Sequence, residues 1–305
     1  MTLLQLQRII YQFNTQIPML KSIKLLFQHP YNKANKPFAL ARLIGWKFIK
    51  LFKLKEVTFP IWNNKKIQLN YDSLQCMWIM YNYIVDWEEF VFIKRFVKSE
   101  DEVCDIGANM GFYTIWFSKF ISKGLIHSFE PDDKNFDRLN KNVNLNQITP
   151  IVKLNKFLIS EVNGNLKFTV GLDGENHISL KENLGVTVKV SKSLDLYAEE
   201  NKIHHFAYVK IDVEGFELAV LQGSKTLLSE NKISVIQLEI NSTVQNSDTD
   251  IDTLLNFLKI HNYQLCSYDV PKNQLVKIEY FSARENYFAT TDIENINQTL
   301  KTNDQ

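Results

Sequence analysis

From residue 102 onward, short apolar runs alternate with longer segments in which apolar residues recur at helical spacing. Each short run predicts a buried strand, and each longer segment predicts a helix. Strands and helices that alternate in this way are typical of βαβ units, so we expect an α/β fold with a doubly wound, mostly parallel sheet. The predicted strands of this sheet are 103–106, 125–129, 151–159, 206–211, 234–240, 263–268 and 287–290.

The connections between these strands are predicted from the same pattern. Helices are expected over 111–121, 194–201, 216–228 and 251–261. Two extra strands, 167–170 and 186–190, are expected on either side of a polar loop, 171–185.

The first 99 residues have a different pattern. Residues 1–55 predict helices that are interrupted near three prolines, and residues 57–71 predict a β-hairpin with its turn at Asn63 and Asn64. Two short helical segments, 72–83 and 87–97, follow the hairpin. We therefore expect three parts, which are an N-terminal extension (1–99) that is a candidate for acceptor binding, a catalytic α/β domain (100–291) and a frayed polar tail (292–305).

The composition is that of an ordinary globular chain, with 45% hydrophobic and 23% charged residues. This balance excludes wholesale disorder and fibrous repeats. The three cysteines are far apart, spaced for neither a disulfide framework nor a zinc site, which indicates a reducing compartment. Because no long apolar span and no secretory signal pattern occurs, we expect a cytoplasmic protein.

The net charge of +1 conceals a strong segregation. Residues 1–55 contain ten Lys or Arg and no acid, which leaves 25 basic and 34 acidic residues for 56–305. Within the basic part, residues 38–55 predict an amphipathic helix. Its basic side carries Arg42, Lys50 and Lys53. Its apolar side carries Leu40, Ile44, Phe48 and Leu51.

Two interpretations of residues 38–55 remain open. The helix lies peripherally on the anionic inner face of a membrane, or it packs its apolar side on the acidic domain. We favour packing, because the apolar side is continuous with the hairpin and helices that follow. Nucleic-acid binding is not expected, since the larger part of the chain is acidic and carries no reader motif.

The first predicted strand-to-helix turn combines an acid with closely spaced glycines. Asp105 precedes Gly107 and Gly111, which are two of only ten glycines in the chain. Glycine lets a ligand approach the backbone closely, and a helix start offers unpaired N–H donors. Glu130 ends the second predicted strand, where a carboxylate accepts the hydroxyls of a ribose. A nucleoside-containing cofactor is the first inference.

The absence of motifs for other nucleotide cofactors narrows the choice of cofactor. Asn109 and Phe112 occupy two of the three glycine positions of a dinucleotide fingerprint, which argues against a nicotinamide oxidoreductase, and no P-loop occurs. Acids suit a cofactor with a cationic amino acid part better than one with phosphates. S-adenosylmethionine fits this description. The alternative interpretation is that Asp105 and Glu130 only cap helices and satisfy loop amides.

Three segments, 105–113, 129–131 and 210–217, are similar to signatures of the FkbM family of methyltransferases, and the similarity covers roughly residues 100–241. The resemblance implies a class I, Rossmann-like, seven-stranded sheet with strand order 3-2-1-4-5-7-6. It also implies S-adenosylmethionine as cofactor and O-methylation of a hydroxyl in a secondary metabolite or saccharide pathway. The cofactor-binding residues that it implies are Asp105, Gly107, Ala108, Asn109, Gly111, Glu130 and Ser160. In this set Asp105 acts on the amino acid part, Glu130 holds the ribose and Ser160 borders the adenine.

The segment after the fourth predicted strand supplies the candidate catalytic residues. Asp212 or Glu214 is expected to remove the proton of the acceptor, with Lys210 orienting one of them. His177 in the polar loop is the second choice of base. Glu217 either joins this site or only complements the dipole of the helix that it opens.

A magnesium-dependent variant is weighed beside the metal-free one. In it, Glu239 and Asn241 join Asp212 around the cation, as oxygen ligands do in catechol-type O-methyltransferases, which look similar.

The preferred function is therefore an S-adenosylmethionine-dependent methyltransferase for a hydroxyl of a saccharide or a related natural product. The acceptor is a small molecule, a glycan or a lipid-linked compound. The alternative, from another class, is a binding or scaffold protein that retains the methyltransferase fold without turnover.

Overall fold

The structure is a computed structural model that describes residues 26–62, 64–169, 186–240, 251–278 and 286–303. The chain divides into two units, Met1–Phe90 and Val91–Gln305. In the described part of the chain, no helix combines the length and the apolar character that crossing a membrane requires.

The N-terminal unit contains the predicted hairpin and helices. Its helices are α1 (Pro30–Ala34), α2 (Lys36–Leu51) and α3 (Leu74–Asn82), and its strands are β1 (Val57–Ile61) and β2 (Lys65–Leu69). The strands pair antiparallel from Val57 opposite Leu69 to Ile61 opposite Lys65. Asn64 lies in the predicted turn with a φ of 68°, a conformation that asparagine tolerates better than most residues, and Asn63 lies outside the described residues.

Within the described part of the N-terminal unit, α2 does not bury the side that the pattern identified as apolar. On that side, Ile44, Phe48 and Leu51 are 68%, 56% and 76% exposed. The opposite side is buried and carries Ala39, Leu43, Trp46 and Ile49 together with Arg42. A periodic pattern cannot tell which of two partly apolar sides packs inward, and here a guanidinium with local partners takes the inner side.

The second unit is built around an eight-stranded sheet with the order β12-β11-β13-β10-β9-β3-β4-β5. Its strands are β3 (Glu102–Ile106), β4 (Leu125–Phe129), β5 (Val152–Asn155), β9 (Phe206–Ile211), β10 (Ile233–Glu239), β11 (Gln264–Asp269), β12 (Gln274–Lys277) and β13 (Asn286–Thr290). Strands β5, β4, β3, β9 and β10 are parallel to one another. Strand β13 pairs antiparallel with both β10 and β11. Without the extra edge strand β12, the order is the expected 3-2-1-4-5-7-6, so the predicted fold class is confirmed.

The connections follow the expected alternation. The helices of this unit, with α4 spanning the division between the two units, are α4 (Trp87–Phe96), α5 (Phe112–Phe117), α6 (Asp133–Leu145), α7 (Leu194–Asn201), α8 (Glu217–Gln222), α9 (Lys225–Ser229), α10 (Ile251–Ile260) and α11 (Ile293–Asn303). A buried cluster of apolar residues includes Val209 of β9, Val220 of α8 and Ile236 of β10. This cluster fixes the central strands whose ends carry the polar residues described below.

Three predicted elements differ from the structure. The strand expected over 151–159 is interrupted, because only Val152–Asn155 joins the main sheet and Leu158–Ile159 forms β6 of a second sheet. That sheet has the order β6-β8-β7, with β7 at Gly164–Thr169 and β8 at Val186–Lys192. The helix expected over 216–228 is divided at Gly223, and the tail expected to fray contains the helix α11, which buries Ile296 and Leu300.

Candidate active site

Four polar side chains form one row across the centre of the main sheet. The strand register places Asp105 of β3 opposite Ser128 of β4 and opposite Lys210 of β9, and it places Lys210 opposite Gln237 of β10. Residues in register on parallel strands share a face of the sheet. All four are buried, so we call Ser128, Asp105, Lys210 and Gln237 the polar row. Buried polar side chains such as these require hydrogen-bond partners inside the protein.

Asp105 and Lys210 are the charged members of the polar row. Oδ2 of Asp105 accepts a hydrogen bond from Oγ1 of Thr114 at 2.7 Å, and Nζ of Lys210 lies 3.7 Å from Oδ1. Among the residues that the structure describes, this Oδ1 atom has no hydrogen-bond partner. Burial raises the pKa of Asp105, although Lys210 opposes this effect. The row therefore contains one buried carboxylate oxygen that remains available to a ligand.

Lys210 joins the buried row to Asp212, which is more exposed. Its Nζ donates to Oδ2 of Asp212 at 2.9 Å, and the Asp212 side chain is 30% exposed whereas that of Lys210 is 4% exposed. Burial opposes the charge of Lys210, but the carboxylates of Asp212 and Asp105 outweigh this effect and raise the pKa of the ammonium above its ordinary value. The same Nζ lies 4.7 Å from the ring centroid of Tyr113. Lys210 is thus a fixed cation behind an accessible carboxylate.

The loops after β3 and β9 touch at Gly107. The amide of Asp212 donates to the carbonyl of Ile106 at 3.1 Å, and a Cβ on Gly107 would lie 1.8 Å from the carbonyl oxygen of Asp212. Gly107 also has a φ of 79°, which side chains other than glycine rarely adopt. Only glycine fits this position. Its absence of a side chain holds the turn after β3 against the segment that carries Asp212.

The amides of the glycine turn are used within the protein. Those of Gly107 and Ala108 donate to the carbonyl of Phe129 at 3.0 and 2.9 Å, and that of Gly111 donates to Ala108. The amide of Asn109 donates to Oε2 of Glu130 at 2.8 Å. All four of these amides are therefore paired within the protein. Paired amides cannot cradle a phosphate, which agrees with the exclusion of a dinucleotide site.

Glu130 connects the turn after β3 to the turn after β4. Its two carboxylate oxygens accept from the amides of Asn109 and Asp132, each at 2.8 Å, and the side chain is buried. Burial raises the pKa of Glu130 to about 8, against the effect of these two hydrogen bonds. Glu130 thus satisfies loop amides, as the alternative interpretation of this residue stated. Each oxygen still has a second lone pair for a ligand hydroxyl.

Glu217 shapes the segment that follows Asp212. Its Oε1 accepts from the amides of Gly215 at 3.1 Å and Val213 at 3.3 Å, and the residue is 1% exposed. Burial raises the pKa of Glu217 to about 7. Glu214, between these amides, is half-buried and has a φ of 53°. The helix dipole is therefore only part of the role of Glu217, because this side chain also holds the loop in shape.

The remaining candidates lie elsewhere or outside the description. Ser160 is fully buried and its hydroxyl shares a hydrogen bond with Ser191 at 2.9 Å, so the side chain is already engaged within the protein. Glu239 is half-buried at the end of β10. His177 and Asn241 lie outside the described residues. Among the described His, Cys, Asp and Glu residues, no group of three is arranged to hold a metal ion.

Several polar residues of the site were missed by the sequence analysis. The amide nitrogen of Gln237 donates to the hydroxyl of Tyr113 at 3.0 Å, and its oxygen accepts from Tyr208 at 2.6 Å. Thr114 bridges Asp105 and Ser128, at 2.7 and 2.8 Å. A signal existed, because Ser128 and Gln237 are polar residues within apolar strands. Buried polar residues of this kind require a partner that the sequence does not name.

Comparisons with known proteins agree on methyl transfer. A family model described as methyltransferase FkbM domain matches residues 105–265, which is about half of the chain. The hexuronic acid methyltransferase AglP of Haloferax volcanii is 23% identical over 212 residues, which cover 68% of this chain and 84% of the relative. The match to the family model includes the turn after β3, Glu130 and the segment 210–217.

Two solved structures illustrate the more distant likeness. A precorrin-6y C5,15-methyltransferase of Geobacter metallireducens is 15% identical, with 66% of this chain and 86% of that chain covered at a TM-score of 0.36. An rRNA methylase of Streptococcus thermophilus is 10% identical, with 66% and 91% covered at a TM-score of 0.39. At such TM-scores these two structures carry no weight for the function.

Proposed function

Because this chain belongs to the FkbM methyltransferase family, we propose that it transfers the methyl group of S-adenosylmethionine to a hydroxyl of a saccharide or a related natural product. The observation that carries the proposal is the ion pair of Lys210 and Asp212. It places one partly exposed carboxylate in front of a buried row of polar side chains, at the carboxyl ends of two neighbouring parallel strands. Ligands bind at this edge of open α/β sheets.

The residues at this edge suit the cofactor. Oδ1 of Asp105 is buried without a hydrogen-bond partner among the described residues, which suits the ammonium of an amino acid directly or through a water. The second lone pairs of Glu130 suit ribose hydroxyls, while the paired amides of Gly107 and Ala108 leave no cradle for a phosphate. When bound, S-adenosylmethionine supplies an electrophilic methyl group on a sulfonium.

Asp212 is proposed as the general base. It would hold the acceptor hydroxyl and take its proton as the oxygen bonds to the methyl carbon; the methyl–sulfur bond would break, and neutral S-adenosylhomocysteine would leave. Lys210 fixes the orientation of this carboxylate through the hydrogen bond of 2.9 Å, and Asp105 stabilises Lys210 from behind. Glu214, which lies two residues further along the same segment, is the second candidate for the base. The chain's own contribution is thus to orient the acceptor and to accept one proton.

The acceptor class is proposed from the relative. AglP is named as a methyltransferase for hexuronic acid, and it aligns with 68% of this chain. At 23% identity this supports a saccharide without specifying the sugar or the position that is methylated. A free sugar, a glycan and a lipid-linked saccharide present the same hydroxyl chemistry.

Asp212→Asn separates turnover from cofactor binding. We expect kcat for a saccharide acceptor to fall by about 10² to 10⁴-fold, while the affinity for S-adenosylhomocysteine changes little. Calorimetry measures the affinity, and mass spectrometry of the methylated product measures the turnover. A panel of neutral sugars and hexuronic acids with free hydroxyls identifies the acceptor.

A matched control is Asp269→Asn, because Asp269 pairs with Lys272 at 2.8 Å in a comparable ion pair on β11. This variant should retain full turnover. Full activity in Asp212→Asn would move the base to another residue. A chain that binds S-adenosylhomocysteine but methylates no member of the panel would favour the scaffold alternative.

A further inference from the structure

The exposed side of α2 carries a stripe of large apolar side chains. Ile44, Phe48, Leu51 and Phe52 are 68%, 56%, 76% and 57% exposed, and we call these four residues the α2 stripe. The first three recur at intervals of four and three residues, so they lie along one side of the helix. The rings of Phe48 and Phe52 are 4.4 Å apart, which joins the C-terminal half of the stripe into one patch.

Packing among residues 26–62 and 64–90, the described part of the N-terminal unit, does not account for this stripe. The buried side of α2 is already occupied by Ala39, Leu43, Trp46 and Ile49. Isolated apolar residues on a surface are common, but a contiguous group along one helix marks an interaction surface. The helix is therefore apolar on two sides, and the described residues of the unit cover one of them.

The charges around the stripe have one sign. Lys47 and Lys50 flank it on the helix, Lys53 and Lys55 follow it, and all four are exposed. The first acidic residue of the chain is Glu56, after ten basic residues. An apolar stripe bordered by lysines is complementary to a partner that has an apolar interior and a negatively charged outer layer. Anionic lipid headgroups over acyl chains have this composition.

We propose that α2 is an interfacial helix that lies along an anionic lipid surface. The α2 stripe inserts at the boundary of headgroups and acyl chains, and the lysines contact the lipid phosphates. The geometry is that of a helix whose C-terminal half lies parallel to the surface, because the stripe follows one side of α2 from Ile44 to its C-terminal end. This inference does not depend on the proposed methyl transfer.

Flotation of the full chain with vesicles tests the proposal. We expect binding to phosphatidylcholine vesicles that contain 30% phosphatidylglycerol, little binding to pure phosphatidylcholine, and release at high salt. Phe48→Gln with Leu51→Gln should lower the partition coefficient by at least about tenfold, since two inserted side chains are lost. Both positions are exposed, so the fold should persist, as circular dichroism can check.

A second variant tests the charge independently. Lys47→Glu with Lys50→Glu should lower binding to the anionic vesicles by about tenfold or more. Ile260→Gln is the matched control, because Ile260 is 77% exposed on α10 in the other unit, and it should bind as the unchanged chain does. Equal binding to neutral and anionic vesicles would overturn the proposal, as would binding that neither double variant reduces.

Two other occupants of the stripe have distinct signatures. If a second copy of this chain covers it, sedimentation will show a dimer that Phe48→Gln with Leu51→Gln dissociates, and vesicles will not compete. If residues 1–25 cover it, the intact chain will not float, and removing those residues will create binding. Either result contradicts the interfacial helix.

Discussion

Among the described residues, each unit buries one lysine or arginine, and the two side chains have different partners. Arg42 of α2 is 2% exposed and donates to the carbonyl of Met80 at 3.0 Å and to Oδ1 of Asn32 at 2.5 Å. Its guanidinium also lies 4.7 Å from the ring centroid of Phe38. Lys210 of β9 is 3% exposed and faces two carboxylates instead.

The difference in partners separates a structural cation from a chemical one. Burial lowers the pKa of Arg42 to about 10, so the guanidinium stays charged at neutral pH and serves to fill and tie a local core. Lys210 stabilises negative charge on Asp212, which is the accessible member of its cluster. The neutral partners of Arg42 indicate a role in packing, whereas the partly exposed carboxylate beside Lys210 supports its proposed place in a site.

Gly107→Ala should have the largest effect, because it breaks the cluster around Lys210. The new Cβ would meet the carbonyl oxygen of Asp212 at 1.8 Å in a left-handed conformation. Strain and displacement together should lower the free energy of unfolding by about 3–5 kcal/mol and weaken the affinity for S-adenosylhomocysteine. Chemical denaturation and calorimetry measure the two effects.

The matched control for this change is Gly45→Ala in α2. A Cβ on Gly45 would lie 3.4 Å from the terminal methyl of Met80, an ordinary contact, and alanine is the better helix former. Stability should therefore be unchanged or slightly increased. If Gly107→Ala lowers the free energy of unfolding no more than Gly45→Ala does, the result will contradict the close contact between the loops after β3 and β9.

Arg42→Met should have an intermediate effect that is confined to stability. The substitution retains the apolar stem but removes the donors to Met80, Asn32 and Tyr81. We expect the free energy of unfolding to fall by about 2–4 kcal/mol, the cost of leaving buried acceptors without partners. The affinity for S-adenosylhomocysteine should not change.

Lys50→Met on the exposed side of the same helix is the control, with an expected change below about 0.5 kcal/mol. Denaturation curves and calorimetry of both variants give the comparison. A loss of cofactor affinity in Arg42→Met without a loss of stability would contradict the structural role of Arg42.

Glu217→Gln should have the smallest effect, which depends on pH. Because burial raises the pKa of Glu217 to about 7, its contribution to stability is fully present below its unfolded pKa of about 4.5 and is lost as the pH rises through 7. The amide retains the acceptor for Val213 and Gly215 but does not ionise. The free energy of unfolding of the variant, relative to that of the unchanged chain, should therefore rise by about 1–3 kcal/mol between pH 5 and 8.

Denaturation of the cofactor-free protein at several pH values measures how the free energy of unfolding changes with pH. Glu161→Gln, which neutralises an exposed carboxylate, is the control and should run parallel to the unchanged chain. Parallel slopes for Glu217→Gln as well would mean that Glu217 is ionised in the folded protein throughout this range.

Much of the fold was predictable from residue spacing. The apolar runs identified the seven strands of the expected sheet, because a strand covered on both faces must be apolar along its length. The strand β12 was missed, since Gln274–Lys277 has only two apolar residues and lies at an edge. The interruption of the third strand after Asn155 was missed because its two pieces, Val152–Asn155 and Leu158–Ile159, are short and close together in the chain but join different sheets.

The site was predictable in part. The residues Asp105, Glu130, Lys210 and Asp212 were identified because acids and a lysine end apolar strands. The predicted roles of these residues remain proposals. Their partners Thr114, Tyr113 and Gln237 were not identified, because these contacts come from other elements of the chain.

The sequence alone determined which positions are apolar, where glycine is required and which residues carry charge. Those properties belong to single residues or to neighbours along the chain, so the strands and the fold class can be predicted from them. The family was identified from the resemblance of three short segments to its signatures. The tertiary structure decided which side of α2 is buried and which strands bring Ser128, Asp105, Lys210 and Gln237 into one row. The physical reason is that the buried side of a helix and the register of a strand depend on which residues from distant parts of the chain pack against them. A local sequence pattern does not contain that information.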